Sequence, residues 1–87
     1  MQREITVLNK MGLHARPAAL IVRCANNYQA ELTLAKDGEI VDCRSILGLI
    51  TLSAGKGCKL TLHADGQDAT QALDAIEKLF INKFDEE

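Results

Sequence analysis

His14, Arg16 and the chain's single proline, Pro17, lie close together in the run Gly12-Leu13-His14-Ala15-Arg16-Pro17-Ala18-Ala19. The run follows a strand-like stretch and opens a helix-like one. Unpaired amides and the positive end of the helix dipole gather at a helix start, which makes it an anion site with phosphate as a common occupant. A histidine side chain is in general only partly protonated near neutral pH and is then nucleophilic, so His14 could take a phosphoryl group. The Arg16 guanidinium pairs strongly with phosphate oxygens. Together the two residues predict a phosphoryl carrier, in which stabilisation has to stay moderate because the group must be given away again. The plainer reading of His14 is an exposed or capping histidine. A small hydrolase fits less well, since no second catalytic acid is evident and no Arg-His-Gly of the phosphatase type is present.

The elements that would position these residues can be read from periodicity. Residues 3–8 alternate as a strand, 9–12 connect, and a helix runs from 15 to about 27. On that helix Ala15, Ala18/Ala19 and Val22 form one face, flanked by Leu20, Ile21 and Cys24. Pro17 is tolerated in the first turn, where the missing N–H has no intrahelical acceptor to lose. Asn26-Asn27 is expected to stop the helix through left-handed geometry. A strand over 30–35, an Asp37-Gly38 hairpin turn and a partner strand over 40–43 follow. Ser45 is placed to cap a short helix over 46–52, Gly55-Lys56-Gly57 turns, and 58–63 alternate as a fourth strand. A last helix spans roughly 68–82, with Ala69, Leu73, Ile76 and Phe80 in one stripe, before Phe84 and the acidic tail Asp85-Glu86-Glu87.

The order β-α-β-β-α-β-α, with strands that alternate apolar and polar residues, predicts an α+β open-faced β-sandwich. Three helices cover one face of a four-stranded, largely antiparallel sheet. Residues 1–87 are expected to form one domain with an aliphatic core, since the chain has no Trp, one Tyr and two Phe. A net charge of −2 with interspersed signs gives no field for nucleic acid or anionic membranes. No apolar run reaches the ~20 residues of a membrane span, and the N-terminus has no signal-peptide pattern. A cytoplasmic monomer is expected. Cys24, Cys43 and Cys58 lack metal or disulfide spacing and read as reduced thiols. No metal or cofactor is expected; Asp65 and Asp68 read as turn and cap residues, His63 and Lys59 as solvated.

Ser45 has a second reading beside its capping role. A phosphoryl group at a helix start adds roughly two negative charges without opposing the fold, and partners docking nearby would feel it. The helix that follows is apolar all round at Ile46, Leu47, Leu49, Ile50 and Leu52, too short to bury every side, so part of it is expected to stay exposed as a docking patch.

The octapeptide around His14 resembles the active-site signature of HPr, the histidine phosphocarrier family of the bacterial phosphoenolpyruvate-dependent phosphotransferase system. Arg44-Ser45-Ile46-Leu47-Gly48-Leu49 resembles that family's serine-site motif, at the family's spacing. The resemblance implies that His14 is phosphorylated on Nδ1 by enzyme I, that the group passes to an enzyme IIA domain, and that Arg16 steadies it. Ala19, Leu47, Gly48 and Thr51 match positions on the family's partner-docking surface. Ser45 matches the residue modified by HPr kinase/phosphorylase, a modification read by a transcriptional regulator or another partner. Asn9-Lys10-Met11-Gly12, Leu52 through Gly57 and the ending Leu79 to Glu87 resemble the nitrogen-type branch, NPr, so sugar uptake and a regulatory relay both stay open. His14 itself separates the chain from Crh-like relatives that lack the histidine.

Overall fold

In the computed structural model, which describes residues 1–86, the order of elements is the one expected. They are β1 (Gln2–Thr6), α1 (Ala15–Ala25), β2 (Glu31–Lys36), β3 (Glu39–Asp42), α2 (Ile46–Thr51), β4 (Lys59–Asp65) and α3 (Ala69–Ile81), closed by a short 3₁₀ turn at Lys83–Asp85. The sheet order is β1-β4-β2-β3 and each pairing is antiparallel. Strand alternation sets its two faces. Leu60, Leu62 and Ala64 of β4 are buried, while Lys59, His63 and Asp65 point the other way and are exposed. The register places Ile5 opposite Leu60, Leu34 opposite Leu62 and Leu32 opposite Ala64, so inward residues of neighbouring strands form one apolar layer. Ala18, Ile21 and Ala25 of α1, Leu49 of α2, and Leu73, Ile76 and Phe80 of α3 pack onto that layer.

Three local readings of the sequence are corrected. The buried stripe of α1 is Pro17, Ala18, Ile21 and Ala25, with Ala15 exposed and Val22 only half-buried. Alanines fit either side of a helix, so the bulkier Ile21 chooses the phase, and the positions three and four residues from it follow. The end of α1 is not left-handed: Asn26 has φ −67°. The helix end is satisfied from outside by the Arg44 guanidinium, which donates to the carbonyls of Ala25 (2.8 Å), Tyr28 (2.7 Å) and Ala30 (3.2 Å). Asp68 stands at the start of α3, but its carboxylate accepts the amides of Gln29 and Ala30, both at 2.9 Å, and ties α3 to the entrance of β2. The bond from Gln29 leads the effects that hold this carboxyl below the ordinary aspartate range. Ser45 caps α2 as expected, its Oγ accepting from the Gly48 amide at 3.0 Å.

One glycine fixes the loop between β1 and α1. Gly12 has φ +69°, and a Cβ there would run into the carbonyl oxygen of Ala54, the same oxygen that accepts the Leu13 amide at 3.0 Å. Gly12→Ala is therefore strained twice. The left-handed conformation alone costs about 1–2 kcal/mol, and the collision must move either the loop or Ala54. Urea denaturation of the variant should show a loss larger than that range; an unchanged midpoint would show the loop to be freely adjustable.

Candidate functional site

His14 occupies the N-cap position of α1 in extended geometry (φ −84°, ψ −170°). Its backbone carbonyl accepts the Ala18 amide at 3.1 Å, while its side chain makes no capping hydrogen bond. Pro17 carries no N–H, so the amides of Ala15 and Arg16 are the first-turn donors without an intrahelical acceptor. The imidazole is about one-third exposed. Its Nε2 lies 2.7 Å from Oε2 of Glu86, whereas Nδ1 has no partner among the described residues.

Glu86 is anchored on both oxygens. Oε1 accepts from Nδ2 of Asn9 at 2.9 Å, and that same amide nitrogen donates to the Gly12 carbonyl at 2.8 Å. Both neighbours are acceptors, so only the NH₂ end of Asn9 can face them. Asn9 is fully buried, and its Oδ1 has no partner among the described residues. Arg16 donates from one terminal nitrogen to the Phe84 carbonyl at 2.7 Å and stands 3.6 Å from Oε2 of Glu86. Burial pushes the Glu86 carboxyl up, but the hydrogen bonds from Asn9 and His14 and the nearby charges outweigh it and hold the group below the ordinary glutamate range.

The turn that delivers Glu86 is costly. Lys83, Phe84 and Asp85 take φ values of 54°, 54° and 58°, a left-handed run without a glycine. At about 1–2 kcal/mol per residue this opposes folding by roughly 3–6 kcal/mol. Phe84 offsets much of it. Its ring is buried edge-on against Phe80 at a centroid distance of 4.8 Å, worth about 1.5–3 kcal/mol by burial and about 0.5–1.5 kcal/mol by ring pairing. The bonds from Arg16, Asn9 and His14 to the same segment supply the rest.

The structure thus brings His14 and Arg16 together and adds Asn9, Phe84 and Glu86, none of which the sequence reading placed at the site. A carboxylate on His14 was not evident there. One signal was available: acidic side chains directly after the C-terminus of a helix sit at its negative end and need a cation or donor elsewhere. Met11, which the sequence places in the connecting loop and not among the site residues, is 72% exposed on the rim beside His14. Ser45 lies apart, at the start of α2, which packs beside α1. Leu47 is 73% exposed, Thr51 is exposed, and Ala19 and Gly48 are half-buried. Gly48 has little room, since a Cβ would come to 3.0 Å from Ser45 Oγ and 3.2 Å from Val41 Cβ. Ile46 and Ile50 are exposed and Leu49 and Leu52 buried, so the short apolar helix divides as expected.

All three cysteines are free thiols, and burial pushes that of buried Cys43 up to about 12, which leaves it unreactive. Among the described residues no group of three or more His, Cys, Asp or Glu side chains is arranged to hold a metal ion, and no helix is long and apolar enough to cross a membrane.

The sequence model of the family described as "PTS HPr component phosphorylation site" matches residues 1–82, the His14 run included. This chain belongs to the HPr family, the phosphocarriers of the phosphotransferase system. The HPr of Treponema pallidum is 46% identical over 85 residues, covering 98% of this chain and 97% of that protein. The phosphocarrier NPr of Shewanella violacea is 43% identical over 86 residues, covering 99% and 94%. Among solved structures, HPr from Thermoanaerobacter tengcongensis superposes with a TM-score of 0.95 at 38% identity, covering 100% of this chain and 98% of that one. An HPr dimer from the same organism gives 0.78 at 39% identity and 92% coverage of each chain. The four-stranded sheet with its three helices is the fold of these HPr structures.

The Glu86 anchor has a pH signature. Its carboxyl titrates lower in the folded chain than in the unfolded one, so its contribution to stability is complete above the ordinary glutamate value of about 4.3 and is lost as pH falls through the lower folded value. The stability that Glu86 contributes over Glu86→Gln should therefore be present above that region and shrink as pH falls through it. A difference independent of pH would show that the carboxylate is not charged in this contact. Phe84→Ala should cost about 3–5 kcal/mol in chemical denaturation and release the turn; a loss below 1 kcal/mol would mean the turn holds without its aromatic anchor.

Proposed function

We propose that His14 receives the phosphoryl group that enzyme I takes from phosphoenolpyruvate and passes it to an enzyme IIA domain in sugar uptake. The protein is then a stoichiometric carrier, consumed and regenerated by other enzymes, and not a catalyst with its own turnover. The observation that carries this reading is His14 at the start of α1, with one ring nitrogen free of partners among the described residues and Arg16 beside it, in a chain of the HPr family. The helix start favours a phosphoryl group by about 0.3–1 kcal/mol. Arg16 uses one terminal nitrogen on Phe84 and keeps its remaining donors for phosphate oxygens. Neither term is large beside the chemistry, so donor and acceptor proteins supply most of the catalysis.

The exposed side chains of Leu47 and Thr51, with Ala19 and Gly48 beside them, form the proposed docking surface for enzyme I and enzyme IIA. Met11 extends it towards His14. Ser45 at the edge of this surface is the proposed target of HPr kinase/phosphorylase: its Oγ holds the cap of α2, and phosphate oxygens can take over that acceptor role. A carrier of the nitrogen-type relay, without sugar transport, is the second reading, favoured by the 43% identity to an NPr along nearly the whole chain. We place the protein in the cytoplasm as a monomer.

Incubation with phosphoenolpyruvate and enzyme I should give an acid-labile phosphohistidine that is lost in His14→Ala; label retained in that variant would end the assignment. Arg16→Ala should slow transfer while the chain stays folded, although loss of its bond to Phe84 will loosen the closing turn. Unfolding of the variant at room temperature would make Arg16 a structural residue instead. With ATP and HPr kinase/phosphorylase, an acid-stable phosphoserine should form and vanish in Ser45→Ala; no incorporation would remove the regulatory half.

A further inference from the structure

The carboxylate on His14 is held in place for more than closing the chain. An ionised carboxylate only accepts hydrogen bonds, so the 2.7 Å contact requires His14 Nε2 to carry the proton. In the neutral ring the lone pair is then on Nδ1, the nitrogen without a partner among the described residues. Asn9 fixes Oε1 from a buried position, and the left-handed turn fixes the backbone, so the orientation of the carboxylate is imposed from two sides. The hydrogen bonds that keep Glu86 ionised support the same picture.

We infer that Glu86 is a positioning residue for phosphoryl transfer: anchored by Asn9, it locks His14 in the Nε2–H tautomer and presents Nδ1 as the nucleophile. The inference rests on His14 being the residue that accepts the phosphoryl group. In the step itself the Nδ1 lone pair forms the new bond to phosphorus while the bond from phosphorus to the donor's leaving atom breaks and its electron pair departs with that atom. The proton stays on Nε2, so the phosphorylated ring becomes cationic as the bond forms. The Glu86 carboxylate faces that developing charge, as the acid of a carboxylate–histidine pair does in hydrolases. Return of the phosphoryl group to an acceptor reverses the same charge change.

Glu86→Gln provides a sharp test because Asn9 dictates how the new amide must sit. The NH₂ of Asn9 needs an acceptor, so the glutamine oxygen turns towards it and the glutamine NH₂ faces His14 Nε2. Nε2 must then accept, and the proton moves to Nδ1. Long-range proton–nitrogen spectra of the full chain, taken where the ring is neutral, would read this directly, with exposed His63 as an internal reference. Phosphoramidate serves as a small donor that needs no docking surface, and phosphohistidine formation gives the rate. The wild type should show protonated Nε2. Glu86→Gln should show protonated Nδ1 and a rate about 10–100-fold lower, and Glu86→Asp should recover most of both. An unchanged tautomer in Glu86→Gln, with or without a slower rate, overturns the inference and leaves Glu86 a structural strap. Label that persists in His14→Ala fails the underlying reading instead, so the two failures are told apart.

Discussion

The contact between His14 and Glu86 joins the loop after β1 to the last described residue of the chain, and much of the molecule is arranged so that it can exist. A carboxylate placed just beyond a helix C-terminus is electrostatically misplaced. It stays there because three donors from the first part of the chain, on Asn9, His14 and Arg16, supply the positive potential that α3 denies it. The strained turn at Lys83–Asp85 is the geometric consequence. Without the reversal the chain would carry Glu86 away from the loop, and without the Phe84 ring in the core the reversal would relax.

That dependence reaches into the sheet. Phe84 and Phe80 lie over the same apolar layer that Ile5, Leu60 and Leu62 build, and β4 is paired on both sides, with β1 and with β2. Salt bridges from Arg3 of β1 to Asp74 and Glu77 fix α3 against the sheet edge, although the partial exposure of all three side chains makes them worth little individually. The packing of α3 on β1 and β4 therefore sets the starting point of the closing turn. Gly12 and Ala54 set the position of the loop it meets. Two independent segments must arrive within hydrogen-bond reach, and the core supplies that registry.

What could be read in the sequence divides along a physical line. The order of elements and the open-faced architecture follow from alternation, turn residues and the cap at Ser45, all of them local signals, and the His14–Arg16 pair was legible because a strand-to-helix junction is local too. The C-terminal half of the site was not. Its geometry depends on three non-glycine residues adopting left-handed conformations, which no local propensity would suggest and which only tertiary burial of Phe84 sustains. Asn9 was hidden for a related reason: a buried asparagine in a loop reads as a turn residue until its partners are known. The end of α1 misled in the same way, because Arg44, far along the chain, replaced the local asparagine signal.

Transfer potential imposes a last constraint on how such a site can be built. A carrier that bound its phosphoryl group through many strong, fixed donors would lower the energy of the loaded state and lose the drive to unload. Among the described residues the permanent hydrogen bonds are spent on the Nε2 side of the ring and on the backbone of the closing turn, not on Nδ1. A phosphoryl group carried on His14, as proposed, would meet first-turn amides and the spare donors of a half-exposed arginine, both open to solvent and both weak. Rigidity is thus concentrated behind the imidazole and restraint in front of it. A nucleophile that must be aimed accurately and yet give up what it holds calls for that asymmetry.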